Sequence, residues 1–145
     1  MTQSDVDEVR DLLNGFLIIN SKAHQFWSKQ EIEHYFLSSV VQAFVVEEDG
    51  KITDFFSFYL LPTLIFPKDD PDAEGKKIMH AYSYLNVSPT FRIEQGMRAM
   101  LTKAKELGAD NFKCPEMLQN VPAALQNLKF SEGSALLYYY IFNWQ

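Results

Sequence analysis

The chain contains one cysteine, Cys114, among 145 residues. That excludes an internal disulfide framework and fits a reducing compartment. It has 13 Lys and Arg against 19 Asp and Glu, for a formal net charge of -6, and its basic residues form no run. Neutralising a phosphate backbone takes clustered cations, so nucleic acid is not an expected partner. No stretch approaches the roughly 18 consecutive apolar residues of a membrane span. The opening Met1-Thr2-Gln3-Ser4-Asp5-Val6-Asp7-Glu8 is acidic where a secretory signal is basic and then apolar. A cytoplasmic chain that does not span a membrane is expected. His24, His34 and His80 show no metal-ligand spacing, and Glu31, Glu33 and His34 lack the second histidine of a zinc helix, so no metal is expected. Repeats, low-complexity tracts and linkers are also missing, which leaves one domain over residues 1–145.

What the chain has in quantity is aromatic residues, 12 Phe and 7 Tyr, within a hydrophobic content of 47%. This favours sheet-rich packing. Val6, Val9, Leu12, Leu13, Phe16 and Leu17 recur at helical spacing, with Ser4 or Asp5 placed to cap a helix that ends near Asn20. Ser28 and Glu31 form a capping box ahead of Ile32, Tyr35 and Phe36. A hairpin follows: Ala43 to Glu47, a turn at Glu48-Asp49-Gly50, then Lys51 to Leu61, closed by Pro62. Thr63 to Lys77 reads as a long loop, and Ile78 to Val87 as a strand. Thr90 is placed to cap a long helix through Ile93, Met97, Met100, Leu101 and Ala104, closed by Gly108. Asp110 to Lys113 reads as a short strand, Pro122 to Leu128 as a helical turn or two, and Leu136 to Trp144 as a final strand. This order predicts an α+β domain with a mixed, mainly antiparallel sheet covered by helices. The aromatic density in Phe55 to Tyr59 and Tyr138 to Phe142 exceeds what one small core needs, so an exposed apolar sheet face, with self-association or a partner, is expected.

The runs Ile52-Thr53-Asp54-Phe55-Phe56-Ser57-Phe58-Tyr59, Ala81-Tyr82-Ser83-Tyr84-Leu85-Asn86-Val87 and Asn127-Leu128-Lys129-Phe130, followed by Leu137 to Trp144, resemble the C-terminal half of the glycylpeptide N-tetradecanoyltransferase (protein N-myristoyltransferase) family. The resemblance runs in order from about Gln3 to Trp144. It implies a GNAT-like (N-acyltransferase-like) unit and transfer of myristoyl from myristoyl-CoA to an N-terminal glycine. It also implies that the acyl-CoA is bound by a preceding half and that this half contributes the peptide groove. Ser57, Tyr82 and Leu137 match family positions that line that groove. Two positions depart from the family. Ser134 stands where its glycine-rich turn has an acid facing the peptide, and Lys113 stands where it usually has Asn. A cation there would repel a basic peptide.

GNAT acetyltransferases hold the CoA pyrophosphate on backbone amides where the central strand turns into the long helix, using Arg or Gln, two residues, Gly, any residue, then Gly or Ala. Around Gly96 this chain has Ile93 in the Arg or Gln place, Arg98 in the second small-residue place, and Glu94 between them. No cofactor is therefore expected to bind this chain. The family's general base is its own returning terminal carboxylate, and Gln145 follows Trp144 directly, so the base is expected to be missing and no catalytic residue is assigned. The readings that remain are an incomplete enzyme that binds N-terminal-glycine peptides and needs an acyl-CoA-binding half, a non-catalytic peptide- or protein-binding paralogue, and a free-standing acetyltransferase, which the altered phosphate turn disfavours.

Overall fold

The computed structural model describes residues 1–66, 75–90, 92–133 and 136–138. After a 3-10 turn over Gln3–Asp5, helix α1 spans Val6–Asn20 and buries Val6, Val9, Leu13 and Leu17, one stripe at three- and four-residue spacing. Neither Ser4 nor Asp5 caps it through a side chain. The Asp5 carboxylate instead accepts the Thr2 N–H at 2.6 Å. Helix α2, Lys29–Phe36, has the expected capping box: the Glu31 N–H donates to Ser28 Oγ at 3.2 Å, and the Ser28 N–H donates to Glu31 Oε2 at 2.8 Å.

Strands β1 (Val41–Glu48) and β2 (Lys51–Ile65) form the hairpin, with Asp49 (φ 50°) and Gly50 (φ 75°) as its two turn residues. Two consecutive positive φ values match the twist of the strands, which is why Asp-Gly serves here. β2 does not stop at Pro62, and Thr63 to Lys77 is not wholly a loop. The strand runs on to Ile65 against β3 (Lys76–Val87), pairing Pro62 with Met79. β1 pairs no further along β2 than Tyr59, so among the described residues Pro62 lies where one side of β2 is an open edge, the part of a sheet that tolerates a missing N–H.

Helix α3 (Ile93–Glu106) crosses back so that β4 (Asn111–Lys113) lies parallel to β3, giving the order β1-β2-β3-β4. Gly108, at φ 82°, ends α3: the Ala109 N–H reaches the Ala104 carbonyl at 2.9 Å. Thr90 is not its cap; the cap position is Arg92, and the Thr90 hydroxyl is committed to Asp54. Helix α4, Pro122–Asn127, begins with proline in its first turn. The final strand expected from Leu136 is not present over Leu136, Leu137 and Tyr138, which are exposed and irregular; residues 139–145 lie outside the described residues.

Strand alternation divides the core in two. Phe55 and Val87 face α1 and α2, while Phe56, Phe58 and Ala81 face α3 and α4. Because each face has its own helical layer, Phe55, Phe56 and Phe58 are buried, and the Phe55 to Tyr59 run is not the exposed face expected of it; of the Tyr138 to Phe142 run, Tyr138 is exposed and residues 139–142 lie outside the described residues. Exposed large apolar side chains include Ile18 and Ile19 at the end of α1, Leu61, Leu64 and Ile65 in the β2 extension with Phe66 after it, and Leu136, Leu137 and Tyr138.

Candidate functional site

On the α1–α2 side the sheet extends past the helices, and its open end is paved with tyrosines. Tyr59 and Tyr82 are register partners on β2 and β3, with rings stacked at 5.3 Å and 9°. Tyr84 meets the edge of Tyr59 at 6.0 Å and touches Phe36 of α2, where the helical cover ends. Burial pushes the Tyr84 hydroxyl pKa up, reinforced by Tyr35 and Tyr59, so it stays neutral. β4 adds Lys113 opposite Tyr82, with its Nζ donating to Tyr82 Oη at 3.2 Å and lying 5.1 Å from the ring centroid. The result is a half-buried aromatic shelf with hydroxyls at strand spacing and one ammonium at its rim, an arrangement suited to an extended chain.

Ser57 shares the shelf's face by alternation but is fully buried. It sits where the β2–β3 register slips between Phe56 and Phe58. Its Oγ donates to the Leu85 carbonyl at 2.9 Å and accepts the Leu85 N–H at 3.1 Å, so it serves the backbone groups that the bulge would leave unpaired. The structure thus brings Tyr82 and Lys113 into contact and sets Ser57 beneath the same face with its hydroxyl engaged. Leu137 is 82% exposed in irregular chain and does not pack on the shelf. Ser134 lies outside the described residues.

The turn between β3 and α3, the phosphate site of the GNAT comparison, is filled from within. Asp54 is fully buried and accepts from the hydroxyls of Ser88 (2.6 Å), Thr90 (2.6 Å) and Thr53 (2.7 Å). Ser88 Oγ in turn accepts the Arg92 N–H at 2.9 Å, at the start of α3. Burial pushes the Asp54 pKa up, but the three hydroxyls and the Arg92 guanidinium outweigh it and hold the carboxyl below the usual range. The positive end of α3 therefore already has a carboxylate beneath it. Gln119 clamps Ser88 on both sides, accepting its N–H and donating to its carbonyl. Gly96 serves packing here: a Cβ would stand inside the Phe56 ring. The sequence reading missed Asp54, Gln119 and Tyr59. The usable signal for Asp54 was a lone acid within an aromatic strand; Gln119 had none.

A cavity of about 530 Å³ lies away from the shelf, between α1 (Leu12, Gly15, Phe16, Ile19) and Pro89 with Gln119. Among the described residues no helix is long and apolar enough to cross a membrane.

Residues 1–145 match the family model for the C-terminal domain of myristoyl-CoA:protein N-myristoyltransferase. The chain belongs to this family. It is 31% identical over 147 residues to the glycylpeptide N-tetradecanoyltransferase of Plasmodium falciparum, covering 100% of this chain and 34% of that N-myristoyltransferase. Among solved structures it matches Saccharomyces cerevisiae N-myristoyltransferase with bound myristoyl-CoA at a TM-score of 0.72 and 26% identity, over 92% of this chain and 35% of that one. The chain thus spans about a third of the length of the N-myristoyltransferases it matches, nearer a third than the half expected. A ribosomal-protein-alanine N-acetyltransferase from Brucella melitensis aligns over 98% of this chain and 96% of its own, at a TM-score of 0.65 and 17% identity. That likeness speaks to the fold, which is the expected GNAT-like α+β.

Proposed function

We propose that this chain is the peptide-binding portion of a protein N-myristoyltransferase acting in the cytoplasm. The full reaction joins the myristoyl carbonyl of myristoyl-CoA to the amino group of an N-terminal glycine, forming an amide and releasing CoA thiol. In this reading the chain's share is to bind and orient the peptide. The tyrosine shelf offers hydroxyls and ring faces to an extended backbone, and myristoyl-CoA is held by a part of the family's longer polypeptide that this chain does not contain. The observation that supports the division is the β3–α3 turn, where the buried Asp54 carboxylate and the packing role of Gly96 weigh against a pyrophosphate cradle. The same observation weighs against a free-standing acetyltransferase.

Isothermal titration calorimetry tests this with two ligands. A peptide beginning with glycine is expected to bind, more weakly than micromolar because Tyr59, Tyr82 and Tyr84 are only half-buried among the described residues. Myristoyl-CoA is expected to give no measurable heat. Micromolar binding of myristoyl-CoA would overturn the division of labour, and failure of any N-terminal-glycine peptide to bind would overturn the assignment of the shelf.

A further inference from the structure

We infer that the shelf selects peptides carrying an acidic side chain, with Lys113 as the residue that sets this preference; the inference rests on the peptide-binding reading above. Lys113 is an exposed residue of the short edge strand β4, where a free lysine would sample many rotamers in water. Instead its ammonium is docked on Tyr82, 3.2 Å from Oη and 5.1 Å from the ring centroid, and Tyr82 is itself stacked on Tyr59 at 5.3 Å. Arg10, Lys29, Arg92 and Lys103 each meet a carboxylate within 4 Å, while Lys113 shares with most of the other described cations the lack of one, and what sets it apart is its seat on Tyr82. Among the described residues Lys113 meets none, in a chain where acids outnumber bases 19 to 13. One of its three N–H donors is used by Tyr82, which leaves two for a ligand.

The rings raise the value of that charge. Stacked tyrosines exclude water from one side of the ammonium, so a carboxylate that reaches it from a peptide lying along Tyr59 and Tyr82 meets a partly desolvated, pre-oriented partner. A basic side chain at the same place meets a like charge. Attraction in one case and repulsion in the other act in the same direction when the two peptides are compared. Together they give a preference of about tenfold for acidic over basic peptides at low salt.

The test uses two series of peptides, each beginning with glycine and alike except for a single Glu or Lys moved along the chain, titrated against the wild type, Lys113→Gln and Lys113→Glu. At the best position the wild type should favour Glu by about tenfold, about 1.4 kcal/mol. Lys113→Gln should bring the two peptides close together, Lys113→Glu should reverse their order, and about 0.5 M salt should shrink the wild-type preference. Lys113 is exposed, so both variants should keep the wild-type circular dichroism spectrum. A wild type that binds Glu and Lys peptides equally, or a preference that survives Lys113→Glu, overturns this inference and leaves the shelf as a peptide site. Absence of binding by every glycine peptide overturns the shelf assignment and this inference with it.

Discussion

Replacing Gly96 with alanine sets two effects against each other. Gly96 is the fourth residue of α3, and on helix propensity alone Gly96→Ala stabilises by about 1 kcal/mol. Packing opposes it. A methyl group there would occupy the space of the Phe56 ring, whose side chain is 3% exposed within the cluster of Phe58, Ala81, Met97 and Met100. Phe56 is rigid and enclosed, so the ring must tilt out of its well or α3 must lift from the sheet. Overpacking of this kind costs typically about 1–3 kcal/mol, and overlap with the ring itself places this case at or beyond the upper end. The net expectation is destabilisation by about 2 kcal/mol, read in urea unfolding as a midpoint lowered by about 1 M. Phe56→Leu, which alone costs about 1–2 kcal/mol, should absorb much of the damage, so the double variant should fall short of the summed losses by about 0.5 kcal/mol or more, the order of coupling seen for touching residues. A raised midpoint in Gly96→Ala, or strict additivity with Phe56→Leu, would refute the assignment of Gly96 to packing and return it to the phosphate-turn reading.

Asp54→Asn should destabilise by about 2–4 kcal/mol, because the amide replaces an acceptor of three hydroxyls and loses the charge under α3. Since the folded carboxyl lies below its unfolded value of 3.8, Asp54 contributes stability that is fully present above that pH and is lost as pH falls through the folded value. The wild-type advantage over Asp54→Asn should therefore narrow in unfolding experiments below about pH 4, and a constant gap down to pH 2 would count against the network. Burial pushes the Cys114 thiol up from 9.0 to about 11, which leaves about a hundredfold less thiolate at neutral pH than that starting value gives. Iodoacetamide should label the native protein about a hundred times more slowly than the unfolded one, and equal rates would contradict the burial described.

Local chemistry in this chain was legible wherever its partners were near in sequence. The Ser28 and Glu31 box, the Asp49-Gly50 turn and the Gly108 stop depend on neighbours within a few positions, and each appears as expected. Thr90 was misread for the opposite reason. A threonine ahead of a helix resembles a cap, but Asp54, 36 residues earlier, competes for its hydroxyl and wins with a charged acceptor. Pro62 likewise looks like a strand terminator until the tertiary structure shows that β1 has already ended beside it. At the shelf, strand alternation sets Ser57 and Tyr59 opposite Phe56, Phe58 and Leu60, while the register slip that consumes the Ser57 hydroxyl has no sequence signature. The identity of Lys113 could be read as an intruding cation. Its posture on Tyr82 required the parallel pairing of β4 with β3.

The β2–β3 extension has a consequence for solubility. Among the described residues, β2 from Leu60 to Ile65 pairs only with β3, so it presents an unpaired backbone row on its other side while Leu61, Leu64 and Ile65 are exposed along it. Such a ribbon is a template on which another extended chain can add, and continued growth of that kind ends in aggregation. Pro62 interrupts the row by lacking a donor, and Lys76 and Lys77, paired across from Ile65 and Leu64, place two like charges that a stacked copy would have to bring together. The residue that looked like the end of a strand therefore stands inside it, removing one donor from the row that a further strand would have to pair with.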